Sequence, residues 1–64
     1  FAFASVVSDK NIKKGETFSS ENLWVRRPSG GDFNSSELTS LFGKRALVDI
    51  EANVQIKKEM IAND

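Results

Sequence analysis

The chain is 64 residues long, enough for one small domain and no more. It contains no Cys and no His, which excludes disulfide staples and the usual zinc sites and removes the commonest general base and the best nucleophile. Nine basic residues balance nine acidic ones, so the formal net charge of +0 provides no broad field to attract nucleic acid or an anionic membrane.

Leu, Ile, Val and Phe make up 18 of the 64 residues, above the roughly 20% below which disorder is expected, so a small core is expected. No stretch approaches the roughly 20 apolar residues that span a bilayer. Phe1-Ala2-Phe3-Ala4 lacks the positive flank of a signal peptide, and a cytoplasmic setting is the expectation. Patterned sequence begins at Phe1 itself, which reads as a single domain, 1–64, cut from the C-terminal part of a longer chain.

In chain order, Phe1 to Val7 suits a first strand, closed by the turn formers Ser8-Asp9-Lys10-Asn11. Ile12 to Phe18 reads as two short extended pieces joined at Gly15, which is placed for a positive φ. Ser19-Ser20-Glu21-Asn22-Leu23 offers a capping hydroxyl and an acid for one helical or 3₁₀ turn. Trp24 to Arg27 is extended again and stops at Pro28, and Ser29-Gly30-Gly31-Asp32 is a loop. Leu38, Leu41 and Phe42 stand at i, i+3 and i+4 behind Ser35, with Gly43 after them, and predict one helix. Arg45 to Ile50 reads as a strand, followed by a short extended piece and a closing turn of helix.

The two halves superpose with a constant offset of 38 residues: Ile12 on Ile50, Gly15 on Asn53, Phe18 on Ile56, Glu21 on Glu59 and Leu23 on Ile61. Gly and Asn are the residue types that best tolerate a left-handed backbone, so even the turn position repeats. This predicts two interlocked lobes about a pseudo-twofold axis. The shared core would comprise Val6, Ile12, Phe18, Leu23, Val25, Leu38, Leu41, Leu47, Ile50, Ile56 and Ile61.

The acids form no pair suited to acid–base work, and Gly30-Gly31 lacks the Lys-Ser/Thr of a phosphate loop. Catalytic residues and metal ligands are therefore expected to be absent, and the domain alone is not expected to be an enzyme. Lys13-Lys14 and Lys57-Lys58 read as solvated pairs. Trp24 beside Arg26 and Arg27 could stack a nucleic-acid base, but three Arg in a neutral chain supply few phosphate contacts, and a core or interface role is the commoner one. Arg27, fixed before Pro28 at the mouth of a loop, offers a planar fork of donors suited to a carbonyl, a carboxylate or a pair of hydroxyls.

Ala4-Ser5-Val6-Val7, Asn11-Ile12-Lys13-Lys14-Gly15-Glu16, Glu21-Asn22-Leu23-Trp24-Val25-Arg26-Arg27-Pro28, Gly31-Asp32-Phe33, Leu41-Phe42-Gly43-Lys44 and Gln55-Ile56-Lys57-Lys58 together resemble the C-terminal antifreeze-like (SAF) domain of bacterial sialic acid synthases. The resemblance implies a mainly β fold with short helical turns, a β-clip with internal pseudo-twofold symmetry. It implies a parent synthase that condenses phosphoenolpyruvate with N-acetylmannosamine to N-acetylneuraminate, with a divalent metal in an N-terminal TIM barrel absent from this sequence.

In such a synthase the domain caps the barrel of the second subunit in a domain-swapped homodimer, and the Arg matching Arg27 contacts the N-acetylmannosamine. Phe1 and Phe3 are candidate supports near the same mouth, and Arg26 is a surface residue. The expected partners are that barrel and that sugar, with no nucleic acid and no membrane, and the isolated domain is expected to be a monomer that binds no ligand measurably. Two alternatives remain: the cap of a legionaminic or pseudaminic acid synthase, and a stand-alone antifreeze-like binding domain. Ser20, Glu21 and Arg45, at positions where a fish type III antifreeze presents small neutral groups, speak against the last.

Overall fold

A computed structural model describes residues 4–27 and 31–62. Its regular elements are two strands, β1 (Ser5–Ser8) and β2 (Leu23–Arg26), and two 3₁₀ helices, η1 (Ser35–Leu41) and η2 (Lys58–Met60). The rest of the described chain is held by turns and single β-bridges, a mainly β architecture with short helical turns. No helix among the described residues is long and apolar enough to cross a membrane.

β1 lies at the centre. It pairs antiparallel with β2, Ser5 opposite Arg26 and Ser8 opposite Leu23, and its other edge is bridged by Asn34 at Ser5 and by Gln55 at Val7. With both edges and both faces covered, all four of its residues are buried, serines included. Buried hydroxyls need partners. Ser5 Oγ accepts the Gly31 N–H at 3.0 Å, and Ser8 Oγ accepts the Val54 N–H at 3.0 Å while donating to the Glu51 carbonyl. Ser8 is thus the last strand residue and not the first of the turn.

The predicted pseudo-twofold is written in the backbone hydrogen bonds. Ile12 and Ile50, equivalent under the offset of 38, bond to each other in both directions at 2.7 Å, so the axis passes between them. The bond from Gly15 N–H to Ala46 C=O (2.8 Å) recurs from Asn53 to Ser8 (2.8 Å), and that from Phe18 to Lys44 (2.8 Å) recurs from Ile56 to Val6 (3.0 Å). Asp9 N–H to Asn22 C=O (2.8 Å) recurs as Leu47 to Met60 (2.8 Å). The side chains follow: Asp49 Oδ1 accepts the Lys14 N–H at 2.8 Å, and Asn11 Oδ1 accepts the Ala52 N–H at 2.9 Å. Gly15 and Asn53 both have positive φ, +87° and +63°.

The core is Ala4, Val6, Ile12, Phe18, Leu23, Val25, Leu41, Ala46, Ile50, Ile56 and Ile61, centred on Phe18 and Ile56, both with no exposed surface. Leu38 only packs against its edge, and Leu47, expected inside, is 46% exposed. Arg45 to Ile50 is no continuous strand: Arg45 and Ala46 form bridges, the chain bends at Leu47 and Val48, and it bridges again at Ile50. The bend is imposed by symmetry, because Leu47 occupies the corner that Asp9 takes in the other half, and the side chain at this corner faces water.

The segment after the loop is a 3₁₀ helix, and its cap is Asn34, not Ser35. Asn34 Oδ1 accepts the Ser36 N–H at 3.1 Å and Glu37 Oε1 accepts the Asn34 N–H at 3.1 Å, a reciprocal cap that tightens the first turn. Leu38 and Leu41, three apart, suit the 3₁₀ repeat as well as the α. The stretch from Ser19 to Leu23 forms hydrogen-bonded turns and no helix; its equivalent in the second half is η2, the closing helical turn.

Candidate functional site

β2 alternates buried and exposed, which puts Leu23 and Val25 into the core and leaves Trp24 and Arg26 together on the outward face. Trp24, opposite Val7, is 46% exposed: neither a core residue nor a free platform. The Arg26 guanidinium reaches back along the strand to Asp9, with Nη2 at 2.9 Å from Oδ1. Asp9, at the β1 corner, therefore fixes the first of the two adjacent arginines.

Arg27 is different. It follows the last paired residue of β2, is exposed, and has no hydrogen-bond or ion-pair partner among the described residues. Its backbone is nevertheless well anchored on one side, because Arg26 is paired in register with Ser5. The same Ser5 holds the return of the loop, through its Oγ to the Gly31 N–H and through a bridge to Asn34. A Cβ on Gly31 would lie 3.1 Å from both Cβ and Oγ of Ser5, so the glycine permits this close approach. One buried serine thus pins both feet of the loop that follows Arg27. Ser5 carries no signal for this role in the sequence, where it reads as a small polar residue in an apolar run.

Phe1 and Phe3, the candidate supports of Arg27, and Pro28, Ser29 and Gly30 of its loop lie outside the described residues. An exposed guanidinium on an anchored strand end can donate a forked pair of hydrogen bonds to a carbonyl or to neighbouring hydroxyls at small ordering cost, but it cannot act as a base. Among the described residues, no three acidic side chains converge as a metal site.

A hollow of about 330 Å³ lies over the pseudo-twofold axis, lined by Asn11, Ile12, Lys13, Glu16, Asp49, Ile50 and Glu51. Three of its polar side chains are engaged in the fold: Asn11 and Asp49 cap backbone N–H groups, while Glu16 accepts from the Lys13 N–H at 3.2 Å and from Asn22 Nδ2 at 3.3 Å. Ser20, Glu21 and Arg45 are all exposed.

The family model of the SAF domain matches residues 3–62. No curated protein matches the chain. Among solved structures, the chain is similar to the solution structure of an antifreeze-protein-like domain in the human N-acetylneuraminic acid phosphate synthase gene, with a TM-score of 0.90 and 25% identity over 98% of this chain and 80% of that one.

Proposed function

The chain belongs to the SAF domain family, with the antifreeze-like fold described above, and from that premise we propose that it is the non-catalytic cap of a sialic acid synthase and meets the amino-sugar substrate through Arg27. In this reading the parent enzyme condenses phosphoenolpyruvate with N-acetylmannosamine in the cytoplasm. A TIM barrel holds the divalent metal and performs the chemistry, and this domain closes the barrel of the second subunit in a homodimer.

The observation that carries the reading is the contrast between neighbours. Arg26 is committed to Asp9, whereas Arg27 is exposed, without a partner among the described residues, and sits on a loop whose feet are fixed by Ser5. A neutral amino sugar offers carbonyl and hydroxyl groups, which a positioned fork of donors can orient while the domain excludes water. Arg27 would position substrate and would not transfer a proton.

Arg27→Ala in the full-length synthase tests this. Loss of one charge-assisted hydrogen bond is worth about 1.5–3 kcal/mol, so kcat/KM should fall by roughly 10- to 150-fold. Arg27→Lys should recover only part of the loss, since the charge survives and the fork does not. Unchanged kinetics in Arg27→Ala would remove the proposed contact.

A further inference from the structure

A second concavity, of about 460 Å³, is lined by Phe33, Ser40, Leu41, Lys44, Lys58 and Ile61. Its size falls in the range of small-molecule sites. Leu41 and Ile61, 2% and 6% exposed, form the floor of the groove, and half-buried Phe33 is its more exposed apolar member. Among the described residues, no carboxylate belongs to the lining. Asp32, which accepts the Lys58 N–H at 2.9 Å, is not part of it, and the Ser40 hydroxyl proton is used on the Glu37 carbonyl at 2.6 Å. The charge of the groove is therefore set by two ammonium groups, neither with an ion-pair partner among the described residues.

The pseudo-symmetry shows that the fold does not require these charges. The equivalent of Lys44 is Val6, which is completely buried, and the equivalent of Lys58 is Ser20. Lys44 is half-buried and Lys58 is exposed. The two halves differ at both positions in the same sense: each substitution adds a cation beside the same apolar groove.

We propose that this groove binds a small organic anion with an apolar or aromatic body, such as an aryl or alkyl phosphate or carboxylate. The body lies on Phe33, Leu41 and Ile61, and the anionic head is met by Lys44 and Lys58. The site is separate from Arg27 and does not depend on the cap reading.

The test is a titration of the isotope-labelled chain with phenyl phosphate, followed through backbone amide resonances, with inorganic phosphate and benzyl alcohol as the head-only and body-only probes. The expected result is saturable shifts centred on Phe33, Ser40, Leu41, Lys44, Lys58 and Ile61, with either partial probe at least about ten-fold weaker. Lys44→Met and Lys58→Gln should each weaken phenyl phosphate by about five-fold, and the amides remote from the groove report whether each variant is folded. Should Lys44→Met fail to fold, Lys58→Gln, at an exposed side chain, decides alone. Shifts spread over Lys13, Lys14 and Arg45, an affinity unchanged by the substitutions, or no saturable binding would each overturn the proposal.

Discussion

Ile12 and Ile50 are each other's equivalents in the internal repeat and also each other's hydrogen-bonding partners, through two bonds of 2.7 Å. A residue that pairs with its own image must lie on the symmetry axis, so these two side chains, 1% and 4% exposed, form the point where the lobes meet.

Their energetic coupling can be measured. A domain of this size has a total stability of about 3–10 kcal/mol, so truncation of either Ile to Ala, at about 2–5 kcal/mol, could unfold it outright. Ile→Val is the usable change, at about 0.5–1.5 kcal/mol each. Because the two residues are in contact, the double variant should depart from additivity by about 0.5 kcal/mol or more in denaturant titrations. Strict additivity would mean that the lobes do not share this contact energetically.

The equivalent turns at Gly15 and Asn53 should differ in what they tolerate. Nothing lies within 4 Å of a Cβ built on Gly15, so the only penalty there is its φ of +87°. Gly15→Asn should cost less than about 1 kcal/mol and Gly15→Val clearly more, because a β-branched side chain resists the left-handed region. Asn53→Ala should lose about 1 kcal/mol for the same reason. Thermal melts of the three variants check the order, and equal losses for Asn and Val at position 15 would contradict it.

Gly31→Ala introduces a Cβ 3.1 Å from Ser5, whose own position is fixed by β2 and Asn34. Relief requires Ser5 to give by a few tenths of an ångström, and because it is held on both sides a destabilisation of about 1–3 kcal/mol is expected, as for overpacking. Amide shifts should concentrate at Ser5, Arg26, Arg27 and Asn34. If stability and these resonances stay at wild-type values, the loop is not pinned as described.

Arg26→Ala and Arg27→Ala should both leave the fold nearly intact. The Arg26–Asp9 pair has side chains 44% exposed, and such surface bridges contribute about 0–1 kcal/mol. Arg27 makes no described contact, so its removal should stay within about 0.5 kcal/mol. The proposed function predicts a split between them: in the full-length synthase only Arg27→Ala should lower kcat/KM strongly. Equal effects from both substitutions would point to general surface charge and not to a positioned fork.

Much of the fold is legible in the sequence because the repeat imposes hard constraints. The apolar anchors at Ile12, Phe18, Leu23 and their equivalents must be inside, and Gly15 and Asn53 must suit a positive φ. What the sequence hides depends on distant partners. Ser8 reads as a turn former, and Ser5 as a small polar residue in an apolar run, until Val54 and Gly31 are seen to use their hydroxyls. Leu47 looks like a core residue because corner geometry, which turns it outward, leaves no hydrophobic signature.

The choice between α and 3₁₀ at Ser35–Leu41 rests on the Asn34–Glu37 cap, and both spacings fit the leucines. At the candidate site, the end of the strand before Pro28 is legible in the sequence, and β2 closes at Arg26. That Arg26 is committed and Arg27 is not depends on Asp9, which local sequence around the arginines cannot reveal.

The interleaving of the two halves also governs how the chain reaches its fold. The backbone bonds that tie the two lobes together join residues far apart in the chain: Ile12 must find Ile50, Ser8 must find Asn53, and Val6 must find Ile56. Entropy is lost in closing these loops before any bond repays it. Folding should therefore be slow for so short a chain, closer to small β-barrels than to helical bundles of equal length. Because each half supplies hydrogen-bond partners to the other, the two are expected to reach the native state together.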